Sequence, residues 1–334
     1  MKLKVGVVGV GNIGTIHAGV YKNNPNVELV ALCDIIPLKA DTAAAKFGGK
    51  AFYSVQEMLA SGIQLDACSV ATKGEENGSE HYQPTMELLT AGVPVLGEKP
   101  ISNVVEEGEE MVALARSKKI PYGVNLNHRF TPAALRAKEW IQQGRLGKLN
   151  IINMRMWINN PVETSPWFHM RALHPHSFDV MRYFCGNVKS VVAFLNKGDT
   201  LAGKPRITYS NVQVLLHFES GVVGNLTGSY DAGGSYGLEF CDVSGSKGRF
   251  YLADACEKLT FYDRASIYTE SYEYLGGMRN FNETFASRIT AWTDQLTAGV
   301  KFDAINGSGS DALHAQKIIE AAIKSFETHT IIEL

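Results

Sequence analysis

Near the start of the chain the apolar run KVGVVGV leads directly into GVGNIG at positions 9–14, and a helical pattern follows. A strand buried on both faces reads as such a continuous run. Three glycines spaced GxGxxG between a strand and a helix narrow the fold to a dinucleotide-binding α/β unit. Gly9 permits the tight turn, Gly11 lets the backbone approach a pyrophosphate, and Gly14 lets the helix pack closely on the strand. Asn12, Ile13 and Gly14 open the helix, where free amides and the positive end of the macrodipole favour an anion. Asp34 closes the second apolar run, VELVALCD, twenty residues past Gly14. A carboxylate there accepts both ribose hydroxyls of NAD and repels the 2′-phosphate of NADP. Ile35 and Ile36 follow it, not an arginine. The expected cofactor is NAD, with NADP the alternative.

Further strand candidates are ACSVAT from Ala67, VPVLGEKP from Val93 and PYGVNLN from Pro121. Helical signals separate them: Ser54 with Glu57 and Asn103 with Glu106 have capping-box spacing. Strands alternating with helices imply a parallel, doubly wound sheet, here a Rossmann domain over residues 1–125. Thr131, Pro132 and Gly144 then mark the cap, first turn and exit of another helix. Beyond it the period changes to two. NIINMRMW alternates, and in NVQVLLHF the residues Val212, Val214, Leu216 and Phe218 share one face. GVVGNLTGSY, LEFCDVSG and GRFYLAD continue the pattern. The expectation for residues 126–334 is an open, mainly antiparallel sheet domain that binds substrate. Helices over 282–298 and 311–326 close the chain and are free to pack back on the first domain.

The formal net charge of −2 without a basic run argues against a nucleic-acid partner. No apolar run approaches the about 20 residues needed to cross a bilayer. The N-terminal run passes into the glycine motif, with no small-residue cleavage site, so the expected location is cytoplasmic. The five cysteines are widely spaced and form no CxxC pair, which argues for buried thiols.

HMRALHPHSFDVMRYF, from His169 to Phe184, holds three histidines and an aspartate within eleven residues. His174 and His176 are two apart and would point to different sides of a helix, which disfavours a metal site. Pro175 suits the first position of a helix, so His176 is expected in the first turn, where the macrodipole disfavours a charged imidazole. Asp179 would share its face. Lys99 stands at a strand C-terminal end, where open α/β sheets bind ligands. Its ammonium can stabilise charge on a reacting oxygen, and a neutral His176 can accept a proton.

GEKP at 97–100, GVGNIGTIHA, NHRFTPAALRAKEWIQQGRLGKL and HSFDVMRYFCGNV occur in this order along the chain. Together they resemble the Gfo/Idh/MocA oxidoreductases, such as glucose-fructose oxidoreductase and inositol 2-dehydrogenase. The resemblance implies NAD(P)-dependent transfer of a hydride between nicotinamide and a secondary hydroxyl or carbonyl of a sugar, glycoside or cyclitol. It implies Lys99 and His176 in the reacting centre and Ile35, Thr72 and Glu98 beside the cofactor. It also implies a homodimer or homotetramer formed through the second-domain sheet. Arg129 matches the family RF position, and Arg279 and Asn282 open a helix that comes near the substrate in relatives. Trp157, Asn159, Asp179 and Tyr236 are the further candidates for a polyhydroxylated ligand, with Trp167 and Tyr230 as additional aromatics. Two departures stand out. Relatives that oxidise polyols read DxGxH where this chain has Ala172, His174 and His176. Lys73 replaces a proline after Thr72, and the loop before His81 is longer. The alternatives are an NADP-linked carbonyl reductase and a non-catalytic NAD-binding sensor.

Overall fold

The structure is a computed structural model, and it describes residues 2–74, 76, 78, 80–232, 238–253, 258–263 and 282–334. In chain order the elements are β1 (Leu3–Val8), α1 (Asn12–Asn23), β2 (Val27–Cys33), α2 (Pro37–Phe47), β3 (Lys50–Phe52) and α3 (Val55–Ala60). Next come β4 (Ala67–Val70), α4 (Tyr82–Thr90), β5 (Val95–Gly97), α5 (Val105–Lys118), β6 (Tyr122–Val124) and, after a 3-10 turn at Asn127–Phe130, α6 (Pro132–Gln142). Then follow β7 (Leu149–Trp157), α7 (Phe168–Cys185), β8 (Val188–Asn196), β9 (Thr200–Leu201), β10 (Lys204–Pro205), β11 (Asn211–Phe218) and β12 (Val223–Ser229). The chain closes with β13 (Leu238–Gly245), β14 (Gly248–Ala253), β15 (Lys258–Asp263), α8 (Asn282–Thr297), α9 (Gly309–Thr328) and β16 (Ile332–Glu333). No helix among the described residues is long and apolar enough to cross a membrane.

Two compact units emerge. The first comprises Met1–Leu126 and Phe285–His314, the second Asn127–Thr284 and Ala315–Leu334. In the first, six parallel strands lie in the order β3-β2-β1-β4-β5-β6. This is the doubly wound order whose reversal between β1 and β4 opens a crevice at the strand C-termini. Val5 and Val7 of β1 are fully buried, as the apolar run requires, and pack with Ile289 and Trp292 of α8. Ser54 caps α3 by accepting from the Glu57 amide at 3.0 Å, while Glu57 reaches back to the Tyr53 amide at 3.0 Å. The expected Asn103 cap is corrected. The N-cap of α5 is Val104, because Ser102 Oγ accepts the Val104 amide at 3.1 Å and closes a hydroxyl turn that starts the helix one residue later.

The second unit holds a mixed sheet in the order β15-β14-β13-β7-β12-β11-β8-β16. Burial alternates along β11 as period two demands, with Val212, Val214, Leu216 and Phe218 inside. One pairing departs from the antiparallel expectation: β12 runs parallel to β7. Period two reports one buried face, which a half-covered parallel pair shares. Ile152, Met154 and Met156 of β7 face inward and cluster with Phe178 and Met181 of α7. Trp140 of α6 packs on Phe261 with ring centroids 4.9 Å apart. The opposite sheet face carries exposed Phe194, Val223, Leu215 and Ile151.

The largest correction concerns α7. Pro175 does not open this helix; it lies inside it, and α7 begins seven residues earlier at Phe168. His169 is therefore helical and His176 is not in a first turn. An internal proline leaves the Arg171 carbonyl without its i+4 amide and costs about 3 kcal/mol. Fifteen of the eighteen residues of α7 are buried. At about 1.5–3 kcal/mol per large apolar side chain, that burial outweighs the proline. In the helix interior His176 gains nothing from the positive end of the macrodipole.

Candidate active site

In the first unit the glycine loop is shaped by its own backbone. Gly9 has φ 80°, and a Cβ there would stand 2.6 Å from the Thr72 amide nitrogen. A Cβ on Gly14 would stand 1.8 Å from the Gly9 carbonyl oxygen, which no side chain tolerates. Gly11 differs: a Cβ there would meet nothing within 4 Å. The protein's own packing does not require that glycine, so the open space beside it is room for a ligand. Gly11 is also the N-cap of α1, without a side-chain cap and with no acid in the first turn. The first amides of α1 thus face an anion's natural position. Asp34 accepts the Val10 amide at 3.0 Å through one oxygen and the Ile36 amide at 2.9 Å through the other. A carboxylate oxygen retains lone pairs after one such bond, so both can still receive hydroxyls. Ile35 stands 81% exposed beside it.

At the end of β5, Glu98 is held from several sides. His17 Nε2 lies 2.8 Å from its Oε1, Asn125 donates to the same oxygen at 2.5 Å, and the Lys99 amide donates to Oε2 at 3.3 Å. Ser69 Oγ joins His17 Nδ1 at 3.0 Å to Tyr21 at 2.7 Å. Burial pushes the Glu98 carboxyl up, but the bonds and charges from His17, Asn125 and Lys99 prevail and hold it below the usual range. Burial pulls the Lys99 ammonium below the usual lysine range, against the opposing pull of Glu98. The Lys99–Pro100 peptide bond is cis. His81 clasps this exit: its Nδ1 lies 2.8 Å from the Pro100 carbonyl and its Nε2 2.9 Å from the Thr72 carbonyl. The longer loop before His81 therefore still delivers the imidazole to Thr72.

In the second unit the two sides of α7 do different things. On one side His176 stacks on His128, with centroids 4.1 Å apart and planes 19° from parallel. His128 Nδ1 is ion-paired with Glu239 of β13. Next to it Arg129 closes on Asp179 with Nε–Oδ2 at 2.8 Å and a second bond from Nη2. Both partners are buried, so Arg129 and Asp179 are turned on each other and not outward. On the other side His169 and His174 meet Nε2 to Nε2 at 3.1 Å. The Tyr209 carbonyl, 3.3 Å away, accepts from His169 Nδ1, so the His169 Nε2 is the acceptor and His174 donates to it. Ser177, 3.0 Å from His174 Nδ1, then donates in turn. This chain of neutral tautomers is sealed: burial holds the His169 imidazole down to about 3 and His174 well below its ordinary range. Among the described residues no group of three His, Cys, Asp or Glu is placed to hold a metal ion.

Trp157 needs a correction. Its parity in β7 is opposite to that of Met154 and Met156, so it faces away from α7 and His176. It lines an outward cavity of about 460 Å³ with Phe194, Asn211, Gln213 and Asp231. Asn159 is exposed just beyond the strand. Tyr230 is buried 4.1 Å from the His169 ring, and Trp167 stacks on Tyr209 at 5.0 Å. Asn282 opens α8. Tyr236 and Arg279 lie outside the described residues. Sequence reasoning passed over His17, Ser69, Asn125, His128 and Glu239. For Glu239 a signal existed: in LEFCDVSG it has the same parity as buried Cys241 and Val243. An acid on an apolar strand face must find a partner.

A family model described as an oxidoreductase family with an NAD-binding Rossmann fold matches residues 3–126, and a GFO/IDH/MocA C-terminal domain model matches residues 134–251. The chain is 23% identical over 338 residues to inositol 2-dehydrogenase of Rhizobium meliloti (strain 1021), covering 97% of each chain. An NAD binding oxidoreductase from Klebsiella pneumoniae superposes with a TM-score of 0.87 at 22% identity, covering 99% of this chain and 98% of that one. Levoglucosan dehydrogenase in complex with NADH and levoglucosan superposes at 0.88 with 19% identity, covering 100% and 99%.

Proposed function

The chain belongs to the GFO/IDH/MocA family of NAD-binding oxidoreductases, and from that premise we propose that it transfers a hydride between NAD and a secondary hydroxyl or carbonyl of a sugar, glycoside or cyclitol. The observation that carries this reading is Lys99: a half-buried lysine with a depressed pKa at the end of β5, in the unit that presents the open glycine loop and Asp34. Bound NAD supplies the hydride acceptor. Gly11 and the first amides of α1 receive the pyrophosphate, Asp34 receives the adenosine ribose, and Ile35 covers the base. Thr72, Lys99 and the strand end fixed by Glu98 line the nicotinamide side. Lys99 hydrogen-bonds the reacting oxygen and stabilises charge on it, and His176 takes up the hydroxyl proton. Arg129 and Asp179 serve by holding the 3-10 turn against α7. Inositol and levoglucosan, named in the relatives, are both ring polyols of the class proposed.

The test is a screen for NADH or NADPH formation by absorbance over inositols, free sugars and glycosides. Turnover with NAD is expected. Faster turnover with NADP would overturn the assignment of Asp34, and silence with both cofactors despite tight NAD binding would make the protein a sensor instead of an enzyme.

We also propose a homodimer or homotetramer formed through the outward face of the eight-stranded sheet. Phe194 is 66% exposed there. Arg155 lies over both Trp157 and Phe240, and Arg249 over Tyr262, an aromatic and arginine surface of the composition that interfaces favour. Light scattering should report a multiple of the chain mass, and Phe194→Asp should reduce it to one chain. A wild-type mass of one chain at micromolar concentration would sink the assembly.

A further inference from the structure

We propose that His17 and His81 are positioning residues for Lys99: they hold its two chain neighbours, Glu98 and Pro100, so that its ammonium meets the reacting oxygen in one place. The catalytic meaning of this bracket rests on the role given to Lys99 above. The placement of the two imidazoles stands separately.

The ladder of β5 ends where the Glu98 amide donates to the Val70 carbonyl at 2.8 Å. Beyond that bond two buried imidazoles continue to fix the chain. On one flank His17 Nε2 lies 2.8 Å from Glu98 Oε1. A carboxylate only accepts, so His17 donates there. Its Nδ1 meets Ser69 Oγ of β4 at 3.0 Å, with the Tyr21 hydroxyl 2.7 Å behind. Asn125, just past β6, donates to the same Glu98 oxygen. On the other flank Pro100 has no amide to offer a neighbouring strand. His81 Nδ1 lies 2.8 Å from its carbonyl, and His81 Nε2 lies 2.9 Å from the Thr72 carbonyl, just past β4. Both rings thus tie the exit of β5 to that of β4, one on each side of Lys99.

Stability alone does not call for such a set. Tyr21, Ser69 and His17 are fully buried and Asn125 nearly so. Apolar side chains of the same shape would hold this core about as well, because a buried hydrogen bond contributes little net free energy. What the polar groups add is direction. They fix where one carboxylate points, and its second oxygen accepts the Lys99 amide at 3.3 Å, which sets the start of the lysine.

The experiment measures kcat for polyol oxidation with NAD in full-length variants. His17→Leu should lower kcat by about 10²-fold, the loss that a misplacement of about 1 Å brings, with little change in KM for NAD. His17→Gln, whose amide still donates toward Glu98, should recover most of that loss. In the Lys99→Met background, His17→Leu and His81→Leu should each cost no more than about twofold further, because the residue they position is gone. A full further loss in that background, or a lowered melting temperature with kcat unchanged, would mean that the rings serve packing alone and would overturn the proposal. If His17→Leu does not fold, His17→Asn, whose shorter amide does not reach Glu98, replaces it in the same cycle. Crystal structures of the unliganded wild type and the variant test the bracket without turnover. The Lys99 Nζ should shift by about 1 Å or spread over several positions while the rest of the first unit superposes. An unmoved ammonium would overturn the proposal. If no polyol is turned over, the proposed activity fails, while those structures still decide the bracket.

Discussion

Lys99→Met should lower NADH formation from the substrate polyol by about 10²–10⁴-fold, the span that acid–base and charge-stabilising groups supply. NAD affinity should change little, because the proposed pyrophosphate and ribose contacts at Gly9–Gly14 and Asp34 involve other atoms. The pH profile gives a second check. Burial lowers the Lys99 pKa, so the stabilising cation is lost below the ordinary lysine range. Activity should therefore fall with rising pH before that range is reached. Lys99→Arg keeps a cation that cannot deprotonate in this range, and its residual turnover should lack that alkaline fall. Near-full activity in Lys99→Met would mean that the lysine only closes the strand end.

Acid should destabilise the second unit through the sealed histidines. The His169 imidazole is held at about 3 by burial, against an ordinary value of 6.5. The folded form thus prefers the neutral ring. The stability this confers is complete above about pH 6.5 and is lost as pH falls toward 3, because the unfolded chain binds the proton first. At about 1.4 kcal/mol per pH unit the full window amounts to about 5 kcal/mol, comparable with the whole stability of many domains. Urea unfolding measured at stepwise pH should show that slope, and His169→Gln should flatten it. An unchanged slope in the variant would show that other groups govern the acid limb.

The parts of the fold read from sequence were those with local causes. Gly14 answers to the Gly9 carbonyl in its own loop, and the alternation in NVQVLLHF answers to one covered face. What escaped was set by distant partners. Pro175 carries a local preference for helix starts, yet α7 runs through it because almost every side of that helix is buried. The parallel pairing of β7 with β12 leaves the same period-two trace as an antiparallel one. Arg129 and Asp179, fifty residues apart, each looked like a substrate contact until the structure turned them on each other. His128 stood in a quoted motif but had no visible job without Glu239, more than a hundred residues later.

The return of residues 285–314 to the first unit has a consequence for dissecting the protein. The backbone passes from one unit to the other after Leu126, after Thr284 and after His314. Ile289 and Trp292, which complete the core around Val5, Val7 and Leu96, arrive only with that late segment. A fragment ending at Leu126 would present those valines to water. Recombining halves of related genes at a single junction would likewise pair a sheet with a foreign helix. A swap of the first unit between relatives has to carry two separated segments of sequence.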